Sequence, residues 1–93
     1  MGDVSIIWDL DDDPEGNVQH ILAHDLSKGE VEDVLCNPAN STAESKSSGN
    51  PVTFGWTTTG RYIIVVWEHV QDDPLTMYPI TAYEVSPPKE SRL

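Results

Sequence analysis

The pattern of apolar runs and helix-start signals predicts an α+β domain: one strand, two helices and three antiparallel strands, the helices packed on one face of a four-stranded sheet. Three observations carry this. VSIIW at 4–8 is an apolar run of strand length. Two helix-start signals, at Asp13-Pro14 and at Ser27, follow it. Three β-rich runs punctuated by turn residues fill the second half. A chain of 93 residues with no internal repeat can build one small core and not two. Residues 1–86 are thus expected to form a single domain, and 87–93, PPKESRL, a disordered tail.

Each element has a local reason. DLDDDPEG breaks the first strand with turn and cap residues, and Pro14 loses nothing at a first helical position, so helix one should run from about Pro14 to His24. SKGE at 27–30 is a capping-box pattern, and Val31, Val34 and Leu35 supply the apolar stripe of helix two, which Asn37 and Pro38 stop. NPANSTAESKSSGN, 37–50, has so little to bury that it reads as a mobile surface loop. PVTFGWT then places Val52, Phe54 and Trp56 on one strand face, and TTG before Arg61 is a hairpin turn. RYIIVVWEH is apolar on both faces and should be the central strand. MYPITAYEV closes the sheet, and Pro79 means that this strand lies near an edge or has that position facing away from its neighbour. If the helices cover one face of the central strand, its other apolar face is left for a partner or a second copy.

Charge narrows the function classes. Sixteen acidic residues against five basic ones give a net charge of −11, which repels phosphate backbones, and the basic residues form no cluster in sequence. The single cysteine, Cys36, and an N-terminus without a signal-peptide pattern or a membrane-length apolar run point to a cytoplasmic protein that does not cross a membrane.

Trp8 and Asp9 end the first strand, and Asn17, His20 and His24 lie on helix one. Glu30 to Leu35 form helix two, Gly60 and Arg61 open a hydrophobic strand, and Ile80 to Ala82 lie in the last. In this order these residues resemble the BrnT-type toxins of bacterial type II toxin–antitoxin pairs. The resemblance covers roughly residues 5–85 and implies a RelE-like fold, RNA cleavage and an antitoxin partner. It also has a gap. Such toxins carry arginines in and after the last strand, in a pattern like R-I-I-S-A-R-R, where this chain has Tyr78 and Tyr83 followed by Glu84. Stabilising a phosphorane-like transition state needs preorganised positive charge, and Arg61 alone is left in the sheet to supply it.

The catalytic candidates are therefore Arg61 as electrostatic stabiliser, His20 or His24 as general acid or base, and Tyr83 at the position of a family arginine. Each has a structural alternative. Arg61 could neutralise nearby carboxylates, the histidines could bond to backbone at a helix edge, and Tyr83 could pack in the core or an interface. Tyr78 and Tyr83, five apart, face opposite ways in a regular strand and share a site only across a bulge. His20 and His24 have the i, i+4 spacing of a metal pair, but no spacing singles out a third ligand, and Ile21 stands where a metalloprotease has glutamate. DLDDDPEG fails as a calcium loop, with Pro14 at the sixth position and His20 at the twelfth. No metal or cofactor is expected. The expected function is a toxin-like protein that cleaves RNA. The alternative is a catalytically silent relative that binds an antitoxin-like protein or a second copy through an exposed sheet face, RNA being a partner only of the active form.

Overall fold

A computed structural model describes residues 4–45 and 49–87. The elements are β1 (Val4–Ile6), α1 (Asn17–Ala23), α2 (Lys28–Leu35), β2 (Ser41–Glu44), β3 (Pro51–Trp56), β4 (Tyr62–Asp72) and β5 (Leu75–Glu84). The α+β class and the two helices are as expected, but the sheet has five strands in the order β1-β5-β4-β3-β2, and it is mixed. β1 runs parallel to β5, pairing Ser5 with Thr76, while the other neighbours are antiparallel.

The expected sheet of four mostly antiparallel strands is corrected in its strand count, and the parallel pairing falls to β1 alone. At one edge, Ser41–Glu44 lies within the expected loop and pairs with β3, Thr42 opposite Thr53. All four residues of β2 are exposed, so it forms without an apolar pattern. What holds it is the ladder and a polar chain: Trp67 Nε1 donates to Thr53 Oγ1 at 2.9 Å, and the Thr53 and Thr42 hydroxyls lie 2.8 Å apart. Part of the expected loop, 46–48, and the tail from residue 88 onward lie outside the described residues.

Helix one is shorter than expected, starting at Asn17 with Gly16 as its N-cap. Asp13 spends its carboxylate on the backbone N–H of Glu15, forming a turn, and the helix start is set by Asp9, whose Oδ2 accepts from Asn17 N at 2.9 Å. A Cβ on Gly16 would sit 2.7 Å from that of Asp9, which is why the chain can close here only on glycine. The far end of α1 is a Schellman closure: Leu26 N donates to Ile21 O, Asp25 N to Leu22 O, and Asp25 takes the left-handed conformation at φ 64°. Helix two has the expected capping box, Ser27 Oγ accepting from Glu30 N while Glu30 Oε1 accepts from Ser27 N.

β4 is central, as its double apolar pattern predicts. Its odd residues Ile63, Val65 and Trp67 are buried beneath the helices with Ile21, Leu26, Val31, Val34 and Leu35, and with Met77 and Ala82 of β5. Its even residues Tyr62, Ile64 and Val66 are half-buried on the opposite face, across from Trp56, Phe54 and Val52 of β3. Among the described residues no helix covers that face, although Val52 on it is buried. Pro79 lies where β1, which pairs only with Leu75–Met77, has ended, so its missing N–H faces no neighbouring strand. Among the described residues, no helix is long and apolar enough to cross a membrane.

Candidate functional site

One irregularity in β5 decides which side chains meet. Val66 pairs with Thr81 but Trp67 pairs with Pro79, so Ile80 is an extra residue, a β-bulge. Because of it, Tyr83 lies across from Ile64 and Tyr78 across from Glu68, both on the even, helix-free side of β4. The five-residue spacing that would separate them in a regular strand thus places them on one face.

α1 runs beside β5 past that bulge. His20 Nδ1 lies 3.4 Å from the Ile80 carbonyl, and the rings of His24 and Tyr83 are 5.7 Å apart between centroids, tilted by 46°. Asp25, next after His24, and Glu84, next after Tyr83, both reach Arg61, whose Nη1 is 3.4 Å and 3.7 Å from their carboxylates. Of the four residues singled out in the sequence, His24 and Tyr83 therefore meet ring to ring and His20 lies at the Ile80 carbonyl, while Arg61 reaches their neighbours Asp25 and Glu84 and not the three themselves. The helix-edge backbone contact foreseen for the histidines is met by His20.

Arg61 is the most heavily engaged of the four. Its Nε and Nη2 each lie 3.2 Å from an oxygen of Glu30, forming a bidentate pair, and its Nη2 also donates to the Asp25 carbonyl. Its backbone N–H donates to Thr57 Oγ1 at 3.0 Å, which fixes the start of β4 against the turn before it. Glu30 is nearly buried and accepts in addition from Thr59 Oγ1 and Ser27 N. Burial pushes the Glu30 carboxyl up, but the bonds from Arg61, Thr59 and Ser27 outweigh it and leave the group below its usual range. Arg61 is correspondingly held still more firmly protonated, chiefly by Glu30. One cation faces the carboxylates of Glu30, Asp25 and Glu84, so the patch has no surplus positive charge to offer a phosphate.

A second polar knot sits at the other end of α1. Tyr78 Oη donates to Asp9 Oδ2 at 2.6 Å, and buried Asn17 bonds four ways: its N–H to Asp9, its Oδ1 from Asp9 N, and its Nδ2 to the carbonyls of Ile7 and Pro79. The bond from Tyr78, then the Asn17 backbone and the nearby His20, hold the Asp9 carboxyl low against the opposing effect of burial. The Tyr78 phenol is pushed up to about 12, first by the bond to Asp9 and then by burial and neighbouring carboxylates. A tyrosine so held donates a hydrogen bond and does not ionise near neutrality, so the knot joins β1, α1 and β5 and supplies no nucleophile.

Sequence reasoning found Glu30 only as a capping residue and missed Asp25 and Glu84 as partners of Arg61. The capping box uses one carboxylate oxygen, so the pattern S-x-x-E followed by a lone arginine was the available signal for Glu30. Asp25 and Glu84 carry no such signal. A cleft of about 200 Å³, open to solvent, is lined by Ser27, Gly29, Glu30, Asp33, Thr58 and Thr59. Asp33 there is spent on the N–H and hydroxyl of Thr58 at 3.0 and 2.8 Å. Among the described residues no group of three or more His, Cys, Asp or Glu side chains is placed to hold a metal ion. In comparisons with known proteins, no family model matches the chain, and neither a curated protein nor a solved structure does.

Proposed function

We propose that this chain is a toxin-like protein of the BrnT type that acts as a protein-binding module, docking an antitoxin-like partner on its helix-free sheet face. The observation that carries this reading is the face itself: Phe54, Trp56, Tyr62, Ile64, Val66 and Tyr83 share it, with Trp56 55% and Tyr83 38% exposed. Contiguous aromatic and β-branched surface of this kind is costly to leave in water and is the usual composition of an interface centre. The state of Arg61 supports the same reading, since its charge is already matched by three carboxylates.

The test is co-expression with the product of the reading frame adjacent to this one in its genome. The two proteins should co-purify, and Tyr62→Asp should abolish co-purification while the isolated domain keeps its circular dichroism. Retention of the partner by a folded Tyr62→Asp variant contradicts the reading.

RNA cleavage is the second reading, favoured by the contact of His24 with Tyr83, by His20 at the Ile80 carbonyl, and by Arg61 held at the neighbouring Asp25 and Glu84. It requires a phosphate to displace carboxylates from Arg61. Purified protein free of any partner, incubated with RNA with and without ribosomes, distinguishes the two: cleavage lost in both His20→Ala and His24→Ala favours catalysis, and no cleavage favours the binding module.

A further inference from the structure

Glu68 is an exposed carboxylate on the same side of β4 as Ile64 and Val66, at the end of the apolar face. Among the described residues no cation lies within ion-pair distance of it, and the residue paired with it, Tyr78, is itself bonded to the carboxylate of Asp9. The two cations among the described residues are both committed elsewhere, Lys28 to Asp11 at 3.0 Å and Arg61 to its three carboxylates. A ligand approaching the face thus meets apolar and aromatic side chains, one unmatched carboxylate beside them, and the long-range field of a chain with net charge −11.

We infer that the segment docking on this face is a cationic amphipathic stretch of a protein partner, with apolar side chains on Trp56, Tyr62 and Ile64 and a lysine or arginine paired with Glu68. This rests on the face-docking reading above and adds the chemistry of the partner to it. A second copy of the chain fits poorly, because it would bring the same acidic charge to the same surface. A nucleic acid fits worse, since it offers no apolar side chains and carries phosphate of like sign.

Eight-residue peptides test this on the full-length protein by tryptophan fluorescence with acrylamide quenching: alternating Lys-Val, its Glu-Val twin and a Lys-Ser control. The Lys-Val peptide should bind and shield tryptophan from acrylamide, and the other two should not. Glu68→Lys should weaken Lys-Val binding by about tenfold or more, the scale of a like-charge contact replacing an opposite one. Asp12→Lys, the same charge change at an exposed turn residue outside the strands, should weaken it far less. Tyr62→Asp, which leaves the exposed Trp56 in place as reporter, should also abolish the shielding. Equal losses in Glu68→Lys and Asp12→Lys, or equal binding of the Glu-Val twin, overturn the inference while leaving the face-docking reading intact. Binding that survives Tyr62→Asp overturns the face-docking reading itself.

Discussion

Arg61 and Glu30 form a two-point ion pair, Nε and Nη2 of the one each 3.2 Å from a carboxylate oxygen of the other, that locks the start of β4 to the first turn of α2. Glu30 simultaneously closes the capping box of α2, so one nearly buried carboxylate serves both the helix start and the sheet. Through Asp25 and Glu84 the same guanidinium reaches the end of α1 and the end of β5. The residue that a ribonuclease would use as a clamp is here the joint of the fold.

Arg61→Ala should therefore lower the thermal stability of the domain. Removing one partner of a nearly buried pair leaves the other uncompensated, and the expected fall in Tm is several degrees or more. Arg61→Lys should recover only part of it, because a point charge cannot make both bonds to Glu30. Scanning calorimetry of the three proteins decides the matter. An unchanged Tm in Arg61→Ala would mean that the pair does not hold the fold.

Acid should act through the same pair. The folded Glu30 carboxyl titrates below its ordinary value of 4.5, so its contribution is complete above that pH and is lost as the pH falls through the lower folded value. Asp9, held below 3.8, adds to the loss at still lower pH. Unfolding free energies measured by urea titration between pH 7 and pH 3 should fall below about pH 4.5 in the wild type. The fall should be shallower in Glu30→Gln, and equal slopes in the two proteins would remove Glu30 from the acid response.

Gly55 answers to Asn40. A Cβ at Gly55 would lie 2.3 Å from Asn40 Nδ2, which donates at 2.8 Å to the Val34 carbonyl in the last turn of α2. Gly55→Ala should cost about 1–3 kcal/mol, the usual penalty of forcing atoms into filled space. In the background of Asn40→Ala it should cost less, and that non-additivity is the signature to look for in a double-mutant cycle. Additive losses would show that the clash is relieved elsewhere.

These contacts mark where the fold was legible in the sequence and where it was not. Ser27 and Glu30 announce α2 because a capping box is a local signal completed within four residues. The apolar run around Ile63 and Val65 announces the central strand for the same reason, as its period lies within the run. β2 was invisible because Ser41–Glu44 has no buried side chain and owes its order to the ladder with β3 and to the Thr42 hydroxyl near Thr53. The parallel partner of β1 was equally hidden, since pairing across the length of the chain leaves no mark on either strand. The site was legible as residue types and not as relations. His20, His24, Arg61 and Tyr83 could be named, but that His24 meets Tyr83 and that Arg61 is drawn to Asp25 and Glu84 depends on the bulge at Ile80 and the left-handed Asp25, which leave no mark in the sequence.

The two faces of β4 should respond differently to truncation. Ile63 is wholly buried under the helices, and Ile63→Ala should cost about 2–5 kcal/mol. Ile64, half-buried on the face away from the helices, should cost under about 2 kcal/mol when cut to alanine, since less apolar area is removed from water there. Equal losses by urea denaturation would mean that both faces are core in the isolated domain.

The most direct measurement of the central claim, that the sheet face away from the helices is a docking surface, is the Kd of the adjacent-gene product for the wild type, Trp56→Asp and Leu10→Asp by isothermal titration calorimetry. Trp56 and Leu10 are both highly exposed, but only Trp56 belongs to the sheet face. The account predicts that Trp56→Asp raises Kd at least about tenfold, as loss of a central aromatic contact does, with an unchanged Tm, and that Leu10→Asp leaves Kd within about twofold, the scatter of surface substitutions. A folded Trp56→Asp protein that binds as tightly as the wild type would contradict it.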